Sequence, residues 1–167
     1  MGVSLWAEGI DASGSTQGDG HWRGTENIMS RKTDSQLRLF ACECAIRSLN
    51  RWRMSGREPD WRFFEAIQKV RSIVYFLLPL SELEPVRLSV KEAIGDFIRS
   101  ERDSDLDLDG QMKWYGALNS VSATCNQDCE KAAEYAAREA RREARRFGDE
   151  RSEIKWQKAY LAKLNQR

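Results

Sequence analysis

Ser35-Gln-Leu-Arg-Leu-Phe-Ala-Cys-Glu-Cys-Ala-Ile-Arg-Ser-Leu-Asn50 is the first stretch of the chain with a dense apolar face and small residues set into it. Leu37, Phe40, Ala41, Cys44, Ala45, Ser48 and Trp52 recur at helical spacing on one broad face, with Leu49 at its edge. Arg38, Glu43, Arg47 and Arg51 lean the other way. Thr33 with Gln36 three residues on has the form of a capping box, and Asp34 adds negative charge at the positive end of the helix dipole. Ser55-Gly56 supplies the stop. Alanine and cysteine within the face let neighbouring helices approach closely, so this helix is read as the central one of an all-α fold.

Downstream the same period continues. A second helix opens after Pro59 with Asp60 as N-cap and carries Trp61, Phe64, Ile67 and Val70 as a stripe. Its end, Ile73-Val-Tyr-Phe-Leu-Leu78, is apolar on every side and is expected to be buried among several neighbours before Pro79 stops it. Ser81 and Glu84 form a second capping-box pair with Pro85 in the first turn, and Val86, Val90, Ala93, Ile94, Phe97 and Ile98 mark a third helix. Gln111 to Phe147 reads as one long helix or two stacked ones, with Trp114, Leu118 and Val121 in its first half. Its second half is rich in alanine: Ala132, Ala133, Ala136, Ala137, Ala140 and Ala144. Gly148 is a C-cap signal, and Asp149 opens a final helix with Ile154, Leu161 and Leu164 as its apolar line. Strand-like alternation with hairpin signals is absent from the sequence. The expected fold is a single-domain all-α bundle of five or six helices over residues 32–167. Residues 1–31 have the glycine- and serine-rich composition of a flexible tail, with Trp6, Ile10 and Trp22 as its sizeable apolar anchors; disorder is the expectation, with docking onto a partner or onto the domain itself as the alternative.

Composition sets the class. Hydrophobic residues make up 41% and charged residues 32% of 167, enough for one ordinary core. The net charge of +1 gives no global pull toward nucleic acid or anionic membranes. Charge is uneven, however. Nine acids face four bases between Ser81 and Gly110, whereas eleven bases face six acids from Lys131 onward. No run approaches the roughly 18 apolar residues of a membrane span, and the N-terminus lacks a signal-peptide pattern. A cytoplasmic chain with four free thiols is expected.

Chemistry is sparse. Asp105-Leu-Asp107-Leu-Asp109-Gly110 opens like a calcium loop, but the glutamate required at the twelfth position falls on Gly116, so the segment reads as a solvated acidic linker. Cys42, Cys44, Cys125 and Cys129 invite zinc, yet two cysteines two apart point about 200° from each other around a helix. They read as small core residues. The single histidine, His21, lies in the tail, away from any nucleophile on the helices. Arg138, Arg141, Arg142, Arg145 and Arg146 form a basic ridge with the potential to contact phosphates, but Glu134, Glu139 and Glu143 are interspersed at ion-pairing spacing.

Lys32-Thr-Asp-Ser-Gln-Leu-Arg-Leu-Phe-Ala-Cys-Glu-Cys-Ala-Ile-Arg47 resembles the opening of small all-helical bacterial immunity proteins and related companion-type domains, which begin with a helix of the form L-R-L-[FL]-A-x-x-C-A-x-R. The likeness continues through Phe64–Arg71, Ala132–Arg141 and Lys155–Leu161, and is strongest over residues 32–47. The central helices are more aromatic than that pattern, and the tail is extra. The resemblance implies a small binding protein of a bacterial or phage setting that neutralises a toxin or defence factor, and it brings no catalytic residues. The expectation is thus a non-enzymatic protein-binding module without metal or cofactor, its partner another protein met through Asp103, Asp105, Asp107 and Asp109. Nucleic-acid binding through the arginine ridge is the alternative, and no membrane association is expected.

Overall fold

The computed structural model describes residues 33–102 and 114–164. Within them lie six helices: α1 (Asp34–Met54), α2 (Trp61–Tyr75), α3 (Leu83–Arg102), α4 (Tyr115–Thr124), α5 (Cys129–Arg146) and α6 (Glu150–Leu164). No strand occurs among the described residues, and the architecture is an all-α bundle. The tail at residues 1–31 and the acidic run Asp103–Asp109 lie outside the described residues.

Local chemistry sets the helix ends. Thr33 Oγ1 accepts the Gln36 amide at 3.3 Å, and Gln36 Oε1 accepts the Thr33 amide at 3.1 Å, completing the expected box. Asp60 accepts from the Arg62 amide. The stretch from Gln111 to Phe147 holds two helices, because Asp128 turns its carboxylate onto the amides of Glu130 and Lys131 and starts α5 afresh. At α3 the expected Ser81 box gives way to a 3-10 turn, Leu80–Glu82, that runs straight into the helix.

α1 is the hub, packed against α2, α4, α5 and α6. It divides the core in two. Cys42, Ala45, Leu49 and Trp52 face a cluster shared with α2, α3 and α4, in which Trp52 stacks on Trp114 with ring centroids 5.1 Å apart. Leu37, Phe40, Ala41 and Cys44 face the alanines of α5 together with Leu161 and Leu164 of α6. The helix is therefore buried on more sides than its one broad face, and Arg38 and Arg51, on the other side, are buried as well. Their charges are met by remote partners. Arg38 Nη1 donates to the carbonyls of Thr124 (3.3 Å) and Asn126 (2.7 Å), and Nη2 donates to that of Gln127 (2.9 Å). Arg51 pairs with the buried Glu153 of α6, which also accepts from Arg47 Nε at 2.9 Å.

α4 and α5 lie in close contact at Gly116. A Cβ placed there would sit 2.8 Å from Glu143 Cβ and 3.1 Å from the Glu139 carbonyl. Four residues on, Ser120 Oγ donates to the Ala136 carbonyl at 3.2 Å, so the pair is locked by a buried bond as well as by small side chains.

Candidate interaction surface

The apolar end of α2 is the main departure from expectation. Instead of being buried, Tyr75, Phe76, Leu77, Leu78 and Leu80 stand 65%, 72%, 85%, 44% and 49% exposed. Helical periodicity places apolar residues around an axis but does not say whether a neighbour covers each side. Here α2 ends two residues beyond its last buried residue, Ile73, and Pro79 follows shortly after.

The turn itself is unusual. Phe76 is the C-cap, Leu77 follows with φ +52°, and the Leu78 amide donates to the Ile73 carbonyl at 3.0 Å. This is a Schellman termination, which usually places glycine at the left-handed position. The chain follows that rule elsewhere: Gly148 takes φ +73° after α5, with the Asp149 amide on the Ala144 carbonyl at 2.8 Å. At α2 the left-handed residue is a leucine whose side chain is almost fully in solvent. A branched residue there costs roughly 1–2 kcal/mol, and its exposure returns no burial to offset the strain.

Two hollows flank Leu78 and Ile73. The larger, of about 330 Å³, lies between α2 and the start of α3 and is edged by Lys69, Ser72, Glu82, Pro85 and Val86. The smaller, of about 220 Å³, is edged by Asp34, Ser35 and Arg38 of α1, by Val74, Leu77 and Leu80, and by Gln127. Because the Arg38 guanidinium grips the carbonyls of the α4–α5 turn, the wall of the smaller hollow is held to the body of the fold. The result is an apolar ledge with a cleft on either side and a few charges at the rim.

Asp103, Asp105, Asp107 and Asp109 lie outside the described residues. The arginines of α5 do not present one uninterrupted cationic face. Arg138 and Arg142 both reach the Glu139 carboxylate, at 3.2 Å each, and Arg145 pairs with Glu150 at 2.6 Å. Arg141 is buried and donates to the Ala137 carbonyl, while Arg146 is exposed.

The thiols are divided by the hub helix. Cys42 and Cys125 belong to one half of the core; Cys44 belongs to the other, with the half-buried Cys129 packed against it. All four are free. Burial pushes the Cys42 thiol up to about 12 and the Cys44 thiol well above its ordinary value. Among the described residues no three His, Cys, Asp or Glu side chains are placed to hold a metal ion. No described helix is long and apolar enough to cross a membrane.

A buried polar group sits between α1, α5 and α6. Glu153 is fully enclosed, bonded to Arg47 and Arg51, and accepts from Gln157 Nε2 at 2.9 Å. Glu143 is enclosed beside it, with neither carboxylate oxygen in hydrogen-bonding geometry with a described partner. Both side chains are sealed from solvent, so they serve the junction between helices.

Compared with protein-family models, curated proteins and solved structures, the chain finds no match in any of the three.

Proposed function

We propose that this chain is a helical protein-binding module that meets its partner through the apolar ledge Tyr75–Leu80. The observation that carries the reading is Leu77: a strained, left-handed leucine held in solvent at the tip of an exposed apolar cluster. Strain of that kind persists where it serves a contact, and contiguous exposed apolar side chains flanked by polar ones suit a protein interface. Large aromatic and aliphatic anchors beside preformed clefts supply the centre of such an interface. The resemblance of Lys32–Arg47 to bacterial immunity proteins supports neutralisation of a toxin or defence factor as the biological form of that binding. The acidic residues Asp103, Asp105, Asp107 and Asp109 belong to the same proposal as an electrostatic contribution, which acts mainly on encounter rate and specificity. Nucleic-acid binding through Arg138, Arg142, Arg145 and Arg146 has less support, because carboxylates already answer three of these cations.

Leu77→Gly tests the reading with a paired readout. Glycine relieves the left-handed strain, so the variant is expected to gain ~1 kcal/mol in urea unfolding. The same change removes the tip of the ledge, so affinity for a purified partner, measured by calorimetry, should fall at least tenfold. A variant that is more stable and binds as well as the parent would sink the proposal.

A further inference from the structure

The exposure of Tyr75, Phe76, Leu77, Leu78 and Leu80 amounts to the surface of about three whole residues, on the order of 600 Å² at roughly 200 Å² for each large apolar residue. Two such faces pressed together bury on the order of 1,200 Å². That is the lower end of the range for specific protein contacts and above the roughly 1,000 Å² expected of a specific pair. The face is also shaped to meet itself. Leu77, Leu78 and Leu80 edge the hollow of about 220 Å³, and Leu78 edges the one of about 330 Å³, whereas Tyr75 and Phe76 line neither. Exposed rings and receiving clefts thus share one patch. Hollows of these volumes sit at or below the foot of the range for drug-sized ligands, and suit a single side chain.

We infer that the ledge meets a second copy of the same chain across a two-fold axis, so that a different partner binds only the monomer. The inference rests on reading the ledge as a contact face. A two-fold pairing sets the same patch of both copies together, so the patch must tolerate itself. Charge meets that requirement. Lys69 and Glu82 edge the larger hollow, and Asp34 and Arg38 edge the smaller. Each rim therefore carries both signs, and neither turns a field of one sign toward its copy. The net charge of +1 adds no strong long-range repulsion between copies. The backbone of the ledge is also fixed in advance. The Leu78 amide on the Ile73 carbonyl, at 3.0 Å, closes the turn that holds Leu77 at φ +52°, so contact costs little further ordering. An interface of this size gives a dissociation constant of roughly micromolar order. Pairing then regulates the site. A different partner's apparent affinity is lowered by the fraction of chains already paired, and it falls as the chain is concentrated.

Sedimentation velocity of the full chain across the micromolar range tests this with no other protein present. The parent is expected to pass from monomer to dimer as concentration rises, and to stop there. Phe76→Asp sets a carboxylate on the ledge of each copy and should weaken the dimer at least tenfold, with the urea midpoint unchanged because the side chain is 72% exposed. Trp61→Asp adds the same charge at a side chain 68% exposed, at the other end of α2, and should pair as the parent does. A chain that stays monomeric throughout would overturn the inference, as would growth past a dimer. So would a dimer that Phe76→Asp leaves intact or that Trp61→Asp dissolves as readily, since another face would then hold it. Partner binding measured with Leu77→Gly reports separately. Its loss in a chain that stays monomeric removes the second copy and leaves the contact face standing. A dimer lost in Phe76→Asp, with partner binding unchanged in Leu77→Gly, keeps the second copy and removes the different partner from the ledge.

Discussion

Glu143 shows how one buried group is expected to set the pH response of the fold. Its side chain is buried where α5 meets α4 at Gly116, with Ser48 and Arg51 of α1 and Glu153 of α6 nearby, and burial pushes its pKa up to about 8 from an ordinary 4.5. Ser48 and Arg51 of α1 and Arg146 of α5 pull the other way, while the negative charge of Glu153 adds to the rise. In the unfolded chain the carboxyl ionises near its ordinary value; in the folded chain it stays protonated to about 8. Between those two values the folded state holds the extra proton, so stability falls as pH rises through the window and levels off above it. The loss is on the order of a few kcal/mol. Glu143→Gln removes the titration. In urea unfolding at pH 5, 7 and 9, the parent should lose stability relative to the variant across the series, and a constant difference between the two would show that Glu143 is not the group responsible.

The helices show what the residue pattern made legible and where it stopped. The starts of α1 and α2 follow from Thr33 and Asp60, since capping is local chemistry carried by neighbours in sequence. The burial of Arg38 and Arg51 was not legible, because their partners lie 86 to 102 residues away along the chain. The exposed ledge was missed for a related reason: an all-round apolar run reads as buried until the third dimension shows that no described helix covers it. One signal was available, the absence of any glycine between Val70 and Pro79 to end α2. Only charge distinguishes Asp103, Asp105, Asp107 and Asp109 in the sequence, and charge reports solvation more readily than it reports a site. Glycine carries a further lesson at this scale, since Gly95 of α3 and Gly116 of α4 look equivalent in sequence. An added Cβ at Gly95 meets only the tip of the Arg99 side chain, at 3.5 Å, so Gly95→Ala is expected to stabilise by ~0.5–1 kcal/mol through reduced backbone entropy. The same change at Gly116 drives into backbone atoms of α5, and overpacking of about 1–3 kcal/mol outweighs the helix-propensity gain. Opposite signs in thermal unfolding are expected, and a stabilised Gly116→Ala would mean that α4 and α5 do not lie this close.

At the scale of the molecule, the question is whether a core divided by α1 behaves as one cooperative unit. Cys42 and Cys44 probe this from one helix, because they sit two residues apart yet belong to different halves. Both thiols are fully enclosed and held protonated by burial, so neither reacts with an alkylating reagent from the native state. Labelling needs an opening, and the free energy of that opening is what the rate reports. α1 contributes to both clusters, and α4 packs against α1 on one side and α5 on the other, so neither half can lose its packing while keeping the hub in place. Cys42 and Cys44 should therefore label with the same opening free energy, and both should equal the stability from urea unfolding. The half-buried Cys129, at the first turn of α5, should label much faster through local fraying. Mass spectrometry of peptides quenched over a time course separates the three positions. Faster labelling of Cys44 than of Cys42 would mean that α5 and α6 detach as a unit. The Arg47–Glu153–Arg51 junction, which ties α6 to the hub, would then be the weak seam of the fold.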